Sequence, residues 1–426
     1  MKHPITPTRR DLIKTGSAAL ALGATAALAG ASRKPKADIL RVGLVGCGGR
    51  GTGAAADALR ADPNVELVAM GDTFGDRLES SLRTLQGNGD VGSRVKVDEA
   101  HRYTGFDAYK KVTDAVDVVL LATSPHFRPI HVAYAVEKGR HVFVEKPVAT
   151  DALGVKSIRE SCQLAATKSL SIVSGLCYRY QHAKRETVKR IQEGAIGDIV
   201  AIKTTYNTGG LWHRGRAPEW SEMEYQIRNW LYFGWLSGDH IGEQHIHSLD
   251  KVAWVMGGYP SKCTASGGRI VRTDPKYGNI YDHFNSVFEW ENGVQAFSSC
   301  RQWVGAASDV SDHIFGSEGK AEMQSHRIER KGERAWRYRG EGPDNMYQNE
   351  HNEFFASIRS GQPINNGEYM ADSTLMAIMG RMSAYTGQTI TWDQVKNSTL
   401  DLSPKSYEWT DNPMRPVPQP GITKFS

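Results

Sequence analysis

The stretch Gly238-Asp-His-Ile-Gly-Glu-Gln-His-Ile-His-Ser-Leu-Asp250 carries the densest chemistry in the chain. Read as one helix, it sets Glu243 and His247 one turn apart on a shared face. His245 then points elsewhere, and His240 lies near the opposite face. A carboxylate and an imidazole so placed suit proton transfer, because histidine titrates near neutral pH without much tuning. Three histidines with acids among them also invite a zinc site. Their positions scatter around the helix axis and no HExxH order is present, so no metal is expected. The plain alternative is a polar helix whose histidines are satisfied at the surface.

A second group of residues has the pattern of a dinucleotide site. Ile39-Leu-Arg-Val-Gly-Leu-Val45 reads as a strand running into Gly46-Cys47-Gly48-Gly49-Arg50-Gly51, followed by a helix over 52–61 and a strand over 65–70. In a chain with 43 glycines a lone GxGxxG is weak evidence, but strand, turn, helix and strand are the context the motif needs. Glycines let the backbone turn tightly and approach a pyrophosphate at the helix start, which assigns Gly46, Gly48, Gly49, Arg50 and Gly51 to the cofactor. Asp72, 26 residues beyond Gly46, suits the adenosine ribose and favours NAD; nearby Arg77 keeps NADP open. The βα alternation continues. A strand over 116–122 ends in Thr123-Ser-Pro-His126, and after a helix over 130–138 a strand over 141–144 delivers Glu145-Lys146-Pro147. Open α/β sheets bind ligands beyond their strand C-termini, so Thr123, His126, Glu145 and Lys146 are expected at the cofactor.

The second half changes character. Strand-like runs at 200–206, 283–290, 295–303 and 313–315, with a Gly-Ser-Glu-Gly319 turn, predict an antiparallel meander. Helices are expected over 348–360, closed by Gly361, and over 371–385. Trp212, Trp220, Trp230 and Trp235, with Arg214, Arg216 and Arg228 nearby, could hold a sugar by stacking. They could equally cover a domain junction or a subunit interface. The proline-rich tail over 404–426 should run extended across a neighbouring surface, of its own subunit or another.

Gly46-Cys-Gly-Gly-Arg-Gly51, Ala122-Thr-Ser-Pro125 and Glu145-Lys-Pro147, in that order, resemble the Gfo/Idh/MocA oxidoreductases. The resemblance extends to Gly387. It implies an α/β chain with an N-terminal Rossmann domain (38–165), then an α/β domain (166–403) whose open, mostly antiparallel sheet supports substrate and homo-oligomer contacts. It also implies a nicotinamide cofactor and a sugar or polyol substrate. Carried over residue by residue, Lys146 hydrogen-bonds the reacting oxygen and His247 matches the histidine that transfers the proton. Glu243 stands where the family has aspartate, one methylene shorter, and would orient the substrate hydroxyl or His247.

Composition and the amino terminus bound the rest. The charge of +5 falls to +2 once Lys2, Arg9, Arg10, Lys14 and Asp11 are set aside, and no basic stripe appears, which excludes a nucleic-acid partner. Arg9-Arg10-Asp-Leu-Ile-Lys14 before an uncharged run from Thr15 to Ser32 reads as a twin-arginine export signal over 1–31, cleaved after Ala29-Gly-Ala31. That run is short of the ~20 apolar residues a membrane span needs. A periplasmic location follows, with no stable membrane anchor. Five irregularly spaced cysteines are not a disulfide framework. Outside the cytoplasm there is little NAD to exchange, so the cofactor should stay bound. Net oxidation then needs a second sugar to restore it, or a redox-neutral glycoside hydrolysis. A cofactor-bound sensor without turnover is a third class, disfavoured by Lys146 and His247.

Overall fold

The computed structural model describes residues 38–426; the expected export signal lies outside the described residues. The first half alternates β1 (Leu40–Val45), α1 (Gly49–Ala61), β2 (Val65–Asp72), α2 (Gly75–Gln86), β3 (Arg102–Thr104), α3 (Ala108–Ala115), β4 (Val118–Leu121), α4 (Arg128–Glu137), β5 (His141–Val144), α5 (Ala152–Thr167) and β6 (Ile172–Ser174). The strands form a parallel sheet in the order β3-β2-β1-β4-β5-β6. Helices cover both faces, which is why β4 is a continuous apolar run with all four residues buried. The strand order reverses between β1 and β4, where Val45 pairs with Leu121. Both strands therefore end at one crevice, where such sheets bind ligands.

Two expectations shift here. The helix after the glycine turn starts at Gly49, not Thr52, so the last glycines form its first turn. The boundary expected at 165 falls inside α5, and β6 extends the sheet to Ser174. Three residues of strand carry too little periodicity to read from sequence.

The second half contains α6 (His182–Gln192), β7 (Ile199–Thr208), α7 (Glu222–Arg228), α8 (Gly234–Ser237), α9 (Asp239–Glu243) and α10 (Ile246–Met256). It continues through β8 (Lys262–Gly268), β9 (His283–Glu289), β10 (Gln295–Gln302), β11 (Asp309–Gly316), β12 (Gly319–Glu322), β13 (Arg327–Arg330) and β14 (Trp336–Arg337). It ends with α11 (Met346–Ser360), α12 (Gly367–Thr386) and β15 (Ile390–Thr391), followed by a short helix, Trp392–Lys396. The nine-stranded sheet runs β14-β13-β12-β11-β7-β10-β9-β8-β15. Its pairings are antiparallel except β7 with β10, so the sheet is mostly antiparallel, as expected.

Two late helices join the halves. α11 packs against α1, and α12 packs against both α5 and β8. Every residue of α12 except Glu368 and Tyr369 is buried, as a helix enclosed on all sides must be. Glycines in the left-handed region, Gly361 and Gly387, end α11 and α12. The tail lies on its own subunit: Tyr281 donates to the Pro418 carbonyl, and the Gly421 amide donates to Thr386. All five cysteines are buried and free.

Candidate active site

The glycine turn divides its work. Gly46 has φ +95°, and a Cβ there would sit 2.6 Å from the Ala122–Thr123 backbone. A Cβ on Gly51 would run into the Gly46 carbonyl oxygen. These two glycines close the turn. A Cβ on Gly48 or Gly49 would meet nothing within 4 Å. They leave open the space over the start of α1, where unpaired backbone amides favour an anion. That space belongs to a cleft of about 430 Å³, also lined by Asp72, Arg77, Thr123, Glu243 and Gln244. Its volume and its bare helix terminus fit a dinucleotide.

Some expected cofactor residues reach the cleft and others are engaged elsewhere. Asp72 lines it, but its Oδ2 accepts from the Cys47 amide at 2.6 Å and its Oδ1 from the Phe74 amide at 2.9 Å. Each oxygen keeps a second lone pair for a ribose hydroxyl. Burial raises this carboxyl above its ordinary value despite those bonds. Thr123 lines the cleft, 3.3 Å from His131 Nδ1. Arg50 lines the cleft as expected, whereas Glu145 is absent from the lining and is held by Arg50. Arg50 Nε donates to Glu145 Oε1 at 2.5 Å and Nη2 to Glu350 Oε1 at 2.9 Å, with the guanidinium over the Tyr347 ring. Burial alone would raise Glu145, yet the charges of Arg50, Lys146 and Arg128 hold it below its usual value. Glu350, fully buried, is pushed well up by burial, against the lowering charge of Arg50. His126, expected at the cofactor, lies elsewhere. It is absent from the cleft lining, and its Nε2 lies 2.8 Å from the Tyr407 hydroxyl of the tail among aromatic rings. Burial lowers it to about 4.

The histidine-rich stretch over 238–250 is not one helix. It breaks at Gln244 and His245, between α9 and α10, and the His247 amide bonds back to Gln244, not to Glu243. The Glu243 carbonyl so released accepts a hydrogen bond from Lys146 Nζ, which also lies 3.4 Å from Glu243 Oε1. Shared helix-face geometry is therefore not what relates Glu243 to His247; Lys146 stands at the break. Glu243 Oε2 has no partner among the described residues. His247 is half-buried, with its ring edge-on to Tyr178 at 5.3 Å and Nδ1 unbonded. Burial lowers His247 well below the ordinary histidine value, and the charges of Lys146, Lys251 and Arg50 add to this. The imidazole is neutral, not poised near neutrality as its residue type suggested.

The other two histidines tie the stretch to the sheet. His240 Nε2 lies 2.9 Å from the Tyr206 carbonyl on β7, and His245 Nε2 lies 2.6 Å from Ser298 Oγ on β10. No three of the described His, Cys, Asp and Glu residues group as a metal site would need. Asp239, at φ +64°, starts α9 and accepts from Tyr385, with burial pushing its carboxyl up to about 6. Buried Arg381 bonds the Thr150 carbonyl, in the loop that follows Lys146.

Tyr178 joins this group through its ring, edge-on to His247. Its ring lies 4.5 Å from Lys251 Nζ and 5.3 Å from Lys184 Nζ, beside His247. Its position just past β6, at a strand C-terminus, is the signal that marks it.

Glu243 is in the lining of a cleft at the switch point of a parallel sheet. Lys146, bonded to that glutamate, and His247, lowered by burial and the Lys146 charge, stand behind the lining, and the arrangement defines a dinucleotide-dependent oxidoreductase architecture. Residues 40–175 match the oxidoreductase family with NAD-binding Rossmann fold, and residues 185–322 match the GFO/IDH/MocA C-terminal domain. The chain belongs to this family, and its Rossmann half is of the NAD-binding type. It is 28 % identical over 214 residues to the 2,7-anhydro-N-acetylneuraminate hydratase of Escherichia coli (strain K12), covering 49 % of this chain and 52 % of that protein. The chain thus spans about half the length of that relative. It is 22 % identical over 334 residues to the myo-inositol 2-dehydrogenase of Thermotoga maritima, covering 76 % of this chain and 90 % of the other. The solved structure of levoglucosan dehydrogenase in complex with NADH and levoglucosan aligns at TM-score 0.64 and 18 % identity, over 83 % of this chain and 99 % of that one. That likeness shows the fold.

Proposed function

We propose that the protein is an NAD-dependent oxidoreductase acting on a carbinol of a sugar or polyol, with the dinucleotide retained between turnovers. The carrying observation is Lys146 held at the α9 break by Glu243, which itself lines the cleft that begins at the glycine turn. Bound NAD would accept the hydride from the carbinol carbon. Lys146 has three N–H donors and two acceptors on Glu243, so one donor is left for the substrate oxygen as negative charge develops there. Glu243 Oε2, unpartnered, is free to accept from a substrate hydroxyl. Neutral His247, with Nδ1 unbonded, accepts the hydroxyl proton. The surrounding cations disfavour the imidazolium, so His247 gives the proton up readily. That property suits a site that must also run in reverse.

A redox-neutral hydrolase is the second reading, supported by the likeness to a hydratase that acts on an anhydro sugar. Lys146 favours the first. One experiment separates them: denature the purified protein, identify the released nucleotide, and assay the native protein against myo-inositol, levoglucosan, free aldoses and aryl glycosides. Oxidation of one sugar coupled to reduction of another is expected. Aryl glycoside cleavage without net NADH would select the hydrolase, and no bound nucleotide with no turnover would remove both readings. Phe297, Phe315 and Val200 are exposed on strands of the nine-stranded sheet and support assembly through it. Light scattering on the same sample should read a multiple of the chain mass; a monomer would refute this.

We further propose periplasmic export by the twin-arginine route, carried by Arg9 and Arg10 with the hydrophobic run that follows them. Lysine keeps their charge but not the guanidinium fork. Changing both arginines to lysine should leave active precursor in the cytoplasmic fraction. Periplasmic recovery equal to wild type would refute the route.

A further inference from the structure

The tryptophan-rich segment could cradle a sugar or cover a junction, and its placement decides between them. Leu211, Trp212, Arg214, Arg228, Trp230 and Leu231 line the same cleft as the glycine turn, Asp72 and Arg77. Asp72 and Arg77 mark the adenosine end, beyond the C-terminus of β2. Glu243, with Lys146 bonded to it, marks the reacting end. We propose that residues 211–232 form a cap over the adenosine half of the dinucleotide, with Arg214 and Arg77 facing its anionic groups and the C-terminal tail as a latch. This rests on the NAD reading above.

The charge balance asks for an anion. Arg228 pairs with Glu224 at 2.8 Å and Asp76 at 3.3 Å, while Arg77 has Asp76 only at 3.9 Å. Arg214 lies over the Trp212 ring at 4.9 Å, forms no ion pair among the described residues, and has a buried Nε without a hydrogen-bond partner. Burial lowers its proton affinity, and the charges of Arg77 and Arg228 lower it further. Three guanidinium groups thus share two carboxylates, and a phosphate would complete the set.

The cap is also fastened to the Rossmann wall. Arg228 sits 3.8 Å from the centroid of the Phe74 ring, across the cleft. Trp409 of the tail packs on Phe74 at 5.6 Å and on Phe106 at 4.8 Å, both cleft residues. Three residues further on, Asn412 exchanges two hydrogen bonds with Gln226 of α7, at 2.7 and 3.0 Å. The tail therefore bridges both walls, and release of the dinucleotide requires breaking these contacts. Such a cap retains the cofactor while leaving the sugar end of the cleft to exchange.

The test reads nucleotide, not turnover. NADH dissociation is followed by fluorescence after mixing with excess NAD, for wild type, Arg214→Ala, Arg214→Lys and Trp409→Ala. Release at least about tenfold faster is expected in both alanine variants, the effect of losing about 1.4 kcal/mol of contact, with partial rescue by lysine. The KM for the best sugar of the panel should stay within about twofold of wild type. Arg214→Ala lies on a part-exposed loop and remains a test even if Trp409→Ala unfolds. Wild-type release rates in Arg214→Ala would overturn the cap, and a tenfold rise in sugar KM with them would make the segment a sugar cradle. Wild-type protein that binds no NADH would instead overturn the NAD reading.

Discussion

Gly48→Val should melt at the wild-type temperature and bind no NADH, whereas Gly51→Val should not accumulate as folded protein. The two glycines are three residues apart in one motif, and the structure gives them opposite work. Gly48 has φ −73° and no protein atom within 4 Å of a Cβ position, so valine there costs the fold little and fills the space left for a pyrophosphate. At Gly51 the added carbon meets the Gly46 carbonyl, a backbone group that cannot swing aside. Overpacking of this kind costs about 3 kcal/mol or more, a large share of a domain's net stability. Thermal melts and NADH titrations check both. Wild-type NADH affinity in folded Gly48→Val would show that the turn does not hold the dinucleotide.

Lys146→Ala and His247→Ala should each lower kcat by about 10²–10⁴ while the protein folds and keeps its nucleotide. Both side chains are assigned to the reacting oxygen, an interaction strongest in the transition state. The pH dependence separates the electrostatic account from a merely structural one. Burial lowers His247 most, and Lys146 is the first of the charges that add to it. His247 therefore stays neutral as pH falls through 6.5, and the wild-type kcat/KM profile should show no break there from this residue. Removing the Lys146 charge lets its proton affinity rise, so the acid limb of the residual activity in Lys146→Ala should move to higher pH. A wild-type break at the ordinary histidine value, unmoved in Lys146→Ala, would refute the coupling.

Much of the scaffold was legible because its signals are local. β5 falls at 141–144 as expected, and β9 and β10 match within a residue. Alternation, glycine stops and strand-to-glycine junctions depend on neighbours a few positions away. The same logic misled where tertiary contacts override it. Glu243 and His247 have ideal helical spacing, yet the helix breaks between them. His126 ends a strand loop of the kind that binds cofactors, yet it is claimed by a tail residue 281 positions on.

The sequence by itself determined the class of machine: the Rossmann half, the glycine turn, and Lys146 delivered at the end of β5. Tertiary structure decided who partners whom. Arg50, in the cleft lining, took Glu145 and Glu350 as partners, 95 and 300 residues away. The second wall of the cleft came from residues 211–231, and its latch from the tail. His240 and His245 went to sheet strands, while His247 met the Tyr178 ring. The physical reason is the range of each signal. Backbone conformation responds to nearby residues, but a buried charge or imidazole takes whatever partner packing brings within hydrogen-bond reach, and no local pattern encodes that encounter.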